Sequence, residues 1–76
     1  MNKTNKVQLH LIENGSITSW EAIKEYGATR LSSIIFNLRK RGMNIETIMT
    51  DFVDKYGDKS KYAVYTLMED NNGKNE

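Results

Sequence analysis

Apolar residues recur along the chain at two spacings, and the change from one to the other sets the expected order of elements. Over 5–14, NKVQLHLIEN, Val7 and Leu11 stand one helical turn apart with Ile12 beside them. Gly15 follows where a left-handed stop belongs. A short helix is predicted there, with Leu9 off its stripe. Ser16-Ile17-Thr18 is too short for a strand alone but can pair with a later one. Thr18-Ser19-Trp20-Glu21 fits the capping-box pattern, in which the threonine oxygen accepts from the third amide and the glutamate reaches back. Ile17 and Ala22 supply the accompanying apolar staple. A second helix is expected over 19–26, with Trp20, Ala22, Ile23 and Tyr26 as its apolar residues and Gly27 at its end.

Gly27-Ala28-Thr29 reads as a three-residue turn, with Thr29 capping a third helix whose first residue is Arg30. On a 3.6-residue period Leu31, Ile34, Ile35 and Leu38 gather on one side. Thr29, Ser33, Phe36, Asn37 and Lys40 fall opposite, and Gly42 stops the helix. Two helices joined by a short glycine-containing turn form a helix-turn-helix. After Gly42 the period drops to two. NIETIMTDFV at 44–53 and KYAVYTLM at 61–68 are rich in β-branched and aromatic residues, as strands are. Ile45 and Ile48 differ in parity, which allows a bulge in the first strand. Between them DKYGDKSK, 54–61, makes a long charged hairpin tip.

The order helix, strand, helix, helix, strand, strand is that of an α+β winged helix-turn-helix. Its three helices carry a small three-stranded antiparallel sheet, and the hairpin tip projects as a wing. Trp20, Ile23, Leu31, Ile34, Ile35, Leu38, Tyr65 and Leu67 are expected to make most of the core. One domain over 1–68 and a disordered polar tail over 69–76 are expected.

With 76 residues, such a domain buries about 60% of the surface that its unfolded chain exposes. There is no cysteine, hence no disulfide and no thiolate metal site, which fits a reducing compartment. The chain has no apolar run long enough for a membrane span. Its start, MNKTNKVQLH, lacks the apolar stretch of a secretory signal. A soluble cytoplasmic protein is the expectation. The formal charge of +1 hides an uneven distribution. Residues 69–76 hold Glu69, Asp70 and Glu76 against Lys74; without them ten basic and seven acidic residues remain, net +3. From Ala28 to Ile45 there are four basic residues and no acidic one. Local charge of this kind is what a polyanion meets.

A helix fits the major groove of B-DNA, where side chains read base edges. Helix 29–41 is the candidate. Asn37 can offer a donor–acceptor pair to adenine, and Ser33 and Thr29 can bond to bases or phosphates. Lys40 can reach guanine or phosphate, while Arg30, Arg39 and Arg41 flank the helix toward backbone oxygens. Lys55, Lys59 and Lys61 of the wing can meet adjacent backbone. Each feature also has a plainer reading. Arg39-Lys40-Arg41 lies in the last helical turn, where cations offset the helix dipole. Arg30 sits at the other end, where the same dipole disfavours it, so a phosphate contact is the better account. Ser33 and Asn37 also fit a solvated face, and wing lysines discourage edge-to-edge sheet pairing. Phe36 fits contact with thymine methyls or sugars, packing on the wing, or a second subunit. His10, alone, reads as a surface or helix-packing residue. Asp51, Asp54 and Asp58 lack the calcium-loop pattern. No nucleophile–base pair or phosphate loop appears. Neither an enzyme, a cofactor nor a small-molecule substrate is expected.

Trp20, Gly27, Thr29-Arg30-Leu31, Leu38-Arg39-Lys40-Arg41-Gly42 and Ile45-Glu46-Thr47, followed by Tyr56-Gly57 and the strand Tyr62 to Leu67, carry a family likeness. Over residues 7–68 the chain resembles short winged helix-turn-helix proteins of phages and prophages. Phe36 departs from that group, which often carries histidine there. The resemblance implies a double-stranded DNA-binding domain in a phage or mobile-element setting. Transcription regulation, excision and replication accessory roles all fit, as a homodimer or within a larger nucleoprotein assembly. The alternative is a winged-helix protein–protein interaction module that binds a host or phage protein. Phe36 with Tyr26, Tyr56 or Tyr62 would then form its apolar hot spot.

Overall fold

Helix ends leave backbone groups without partners, and in this chain side chains and glycines supply some of them. A computed structural model describes residues 1–69. Helix α1 spans Lys3–Asn14, two residues longer at its start than expected, because Asn2 Oδ1 accepts from the Asn5 amide at 2.8 Å. Gly15, at φ 89°, ends it and donates to the Leu11 carbonyl. Strand β1 is Ser16–Thr18 and helix α2 is Ser19–Tyr26. Both capping-box bonds are present: Glu21 N–H donates to Thr18 Oγ1 at 3.1 Å, and Thr18 N–H donates to Glu21 Oε1 at 3.0 Å. Helix α3 is Leu31–Lys40. It starts one residue later than expected. Arg30 takes the cap position, with no side-chain cap bond, and Thr29 falls one residue outside capping reach.

The hairpin pairs β2, Ile45–Val53, with β3, Lys59–Leu67. Its register runs unbroken from Ile45↔Leu67 to Val53↔Lys59, so there is no bulge. The parity change of Ile48 has another cause: that residue lies on the outer face of the sheet beside Val64 and is 48% exposed. The tip is shorter than expected, 54–58, because Asp54 Oδ1 accepts from the Tyr56 and Asp58 amides and turns the chain early. Lys59 and Lys61 therefore sit in β3. Strand β1 pairs with β3 through Ile17↔Tyr65, giving a three-stranded antiparallel sheet in the order β1-β3-β2.

The core is Val7, Leu11, Ile17, Ala22, Ala28, Leu31, Ile34, Ile35, Leu38 and Ile45, with Tyr26, Met43, Tyr65 and Leu67 packed against it. Trp20 and Ile23, expected inside, are 69% and 43% exposed. Helix α2 turns only Ala22 fully inward. At 3.6 residues per turn, Trp20 lies about 160° around the helix from Ala22 and Ile23 about 100°, while Tyr26 lies within about 40°. His10 joins α1 to α2 through a 2.7 Å bond between Nδ1 and Tyr26 Oη, with the rings edge to face. Of the expected disordered tail, 69–76, all but Glu69 lies outside the described residues. Among the described residues, no helix is long and apolar enough to cross a membrane, and no group of His, Asp and Glu could hold a metal ion.

Candidate nucleic-acid interface

Helix α3 is amphipathic because its apolar residues follow the helical repeat. Leu31, Ile34, Ile35 and Leu38 are buried; Ser33, Phe36, Asn37 and Lys40 are exposed on the other side. The turn that presents this side is fixed by Gly27 at φ 66°, by the Ala28 amide on the Ala22 carbonyl, and by the buried Ala28 methyl. The helix contains no acidic residue. Thr29, Arg30, Ser33 and Asn37 are exposed, and no side-chain hydrogen bond or ion pair holds them among the described residues. Phe36 is 60% exposed, with Lys40 Nζ 5.2 Å from its ring centroid. The two residues are one helical turn apart, so the aromatic face steers the ammonium along the outer side.

The cationic corner divides in three. Arg39 turns back on the hairpin: Nε and Nη2 both donate to the Ile45 carbonyl, at 3.0 and 2.8 Å, and Nη2 also donates to Thr47 Oγ1 at 3.1 Å. Arg41 turns the other way and Nη1 donates to Asn5 Oδ1 and Gln8 Oε1 of α1. Lys40 alone stays on the outward side of α3. In the wing, Lys55 lies 5.3 Å from the Tyr56 ring centroid, and Lys59 is exposed. Lys61 makes an exposed ion pair with Asp51 at 2.8 Å.

The bonds of Arg39 and Arg41 were not legible from spacing, because they join segments whose approach depends on the corner at Gly42. A second unanticipated feature is a shallow apolar cleft of about 790 Å³ between the start of α2 and the wing, built on Trp20, Phe52 and Tyr62. Phe52 and Tyr62 meet edge to face at 6.4 Å. The helical wheel of α2, with Trp20 opposite Ala22, held the signal. Tyr26 is half-buried, and burial, followed by the nearby Glu25, Glu13 and Glu21 charges, raises its pKa above the usual 10.0.

A family model described as a winged helix-turn-helix domain matches residues 3–70. No curated protein and no solved structure gives a significant match.

Proposed function

Given that the chain belongs to the winged helix-turn-helix domain family, we propose that it is a non-enzymatic double-stranded DNA-binding protein of phage or mobile-element type, acting in the cytoplasm as a transcriptional regulator or as an excision or replication accessory factor. Membership suggests DNA binding in general. The outward side of α3 supports the finer reading: it is polar and cationic, free of acids and unengaged within the fold. In this reading helix 29–41 lies in the major groove. Asn37 bonds to the N6 and N7 edge of an adenine, Ser33 and Thr29 reach neighbouring polar atoms, and Phe36 meets thymine methyls. Arg30 and Lys40 contact phosphates. Arg39 and Arg41 anchor the end of the helix and keep guanidinium nitrogens for the backbone. Lys55 and Lys59 set the 54–61 wing on adjacent phosphates, and Lys61 joins them where a phosphate displaces Asp51.

A single module of this kind buries roughly 600–1,000 Å² on DNA, so tight operator binding calls for a homodimer or a larger nucleoprotein assembly. Selection from random duplexes with purified protein tests the reading. On the selected site Asn37→Ala should relax preference at one base position by about 1–3 kcal/mol, and Arg30→Ala should weaken binding to all sequences alike. Unchanged affinity in both variants contradicts the groove placement. The exposure of Phe36 favours a second reading, a module that binds a host or phage protein. Tyr26 and Tyr62 weaken the hot spot expected for it, since they are engaged by His10 and Phe52. There, Phe36→Ala should abolish partner capture while leaving DNA retention intact.

A further inference from the structure

The two long edges of the hairpin differ. Backbone bonds in an antiparallel ladder alternate, so each strand turns every second residue toward its partner and the residues between outward. Two bonds fix the phase here. The Asp54 amide donates to the Asp58 carbonyl, and the Met68 amide donates to the Asn44 carbonyl. Even-numbered residues of β2 therefore face β3, and the backbone groups of Ile45, Thr47, Met49, Asp51 and Val53 point away from the sheet. The Ile45 carbonyl bears this out, since it is the acceptor of the Arg39 fork. That fork closes the root of the edge. Beyond it, Thr47, Met49, Asp51 and Val53 have no backbone partner on that side among the described residues.

An open edge of this length normally carries a guard: a lysine, a proline, a bulge or a covering element. The β3 edge of the wing has Lys59 and Lys61. Strand β2 has no lysine, no proline and no bulge. Four of its side chains are instead apolar and open to solvent, two on each face: Ile48 is 48%, Met49 53%, Phe52 50% and Val53 57% exposed. Asp51 is paired with Lys61 of the neighbouring strand at 2.8 Å. Unpaired amides and carbonyls in a row, flanked by apolar side chains, fit an extended strand rather than a helix or a small molecule.

We propose that β2 pairs antiparallel with β2 of a second copy of this chain about a two-fold axis at Met49. Only odd-numbered residues can bond outward, which limits the registers. An axis at Asp51 sets two carboxylates face to face, and an axis at Thr50 sets Glu46 against Asp54. Either of the remaining axes brings the Ile45 carbonyl, which Arg39 occupies, to the end of the new ladder, but an axis at Ile48 leaves only the two Thr47–Met49 pairs clear of it, whereas an axis at Met49 leaves three. The axis at Met49 joins Thr47 to Asp51 of the second copy and sets Glu46 beside its Phe52, so no like charges are directly opposed. The product is a six-stranded sheet whose outer edges are the three-residue β1 and the lysine-bearing start of β3, one too short and the other too charged to recruit further copies. The pairing is independent of the proposed DNA binding.

The test is sedimentation equilibrium on the full chain without nucleic acid, over rising concentration. The wild type should shift from 8.8 kDa toward about twice that mass. Met49→Pro removes the outward amide at the axis but no bond to β3, and Met49→Lys sets two ammonium groups across the axis. Both variants should stay at 8.8 kDa with an unchanged circular dichroism spectrum. A wild type that remains monomeric at its solubility limit overturns the proposal. So does a dimer that survives both substitutions, or a mass that keeps growing past the dimer. Where the proline variant unfolds, the lysine variant decides alone.

Discussion

Arg30 stands at the N-terminal end of α3, where the helix dipole repels a cation, and its side chain makes no hydrogen bond or ion pair among the described residues. Replacing it with serine removes that repulsion and supplies a cap. Arg30→Ser should therefore raise stability by about 0.5–1 kcal/mol in chemical denaturation, while duplex binding falls. A variant that is both less stable and unimpaired in binding would show that Arg30 serves the fold. Arg39 does the opposite work. Its forked bond to the Ile45 carbonyl ties the end of α3 to the root of the hairpin. Arg39→Ala should lower stability by about 1–2 kcal/mol. Arg39→Lys should recover only part of this, because one ammonium cannot reproduce a planar fork. Tyr26 sets a pH limit. Its raised pKa means that above about pH 10 the unfolded chain loses this proton before the folded one does, so folding weakens as pH climbs. Urea midpoints of the wild type should fall across that range more steeply than those of Tyr26→Phe. Parallel curves would contradict the assignment.

Among the elements, α3 was the most legible in the sequence. Four apolar residues at helical spacing had one side to occupy, and all four are buried. The capping box was equally legible, since its bonds are local to four residues. Thr18→Ala removes one of them and should cost about 1 kcal/mol, read as a lower melting temperature with an unchanged folded spectrum. Helix α2 was less legible. Its apolar residues surround the helix, and only neighbours in space decide that Ala22 faces inward and Trp20 does not. The strand limits followed the same rule. Alternation marked β2 and β3, but the early turn depends on how Asp54 folds over its own following amides. The helical cap expected at Thr29 failed for want of one residue of reach.

Across the whole molecule, order and topology followed from the switch of period at Gly42, and the family match agrees with them. What the sequence could not convey is how the charges are shared between the fold and its surroundings. Arg39, Arg41 and Lys61 are engaged within the chain, whereas the side chains of Arg30, Lys40, Lys55 and Lys59 make no hydrogen bond or ion pair among the described residues. These four lie on the proposed DNA-facing helix and wing. The most direct measurement is fluorescence anisotropy of a selected duplex titrated with protein at several salt concentrations. Neutralising at least four phosphates should make log affinity fall linearly with log salt at a slope of about −3.6 or steeper, and Arg30→Ala should flatten it by about one. Affinity indifferent to salt, or a slope that Arg30→Ala leaves unaltered, would contradict it.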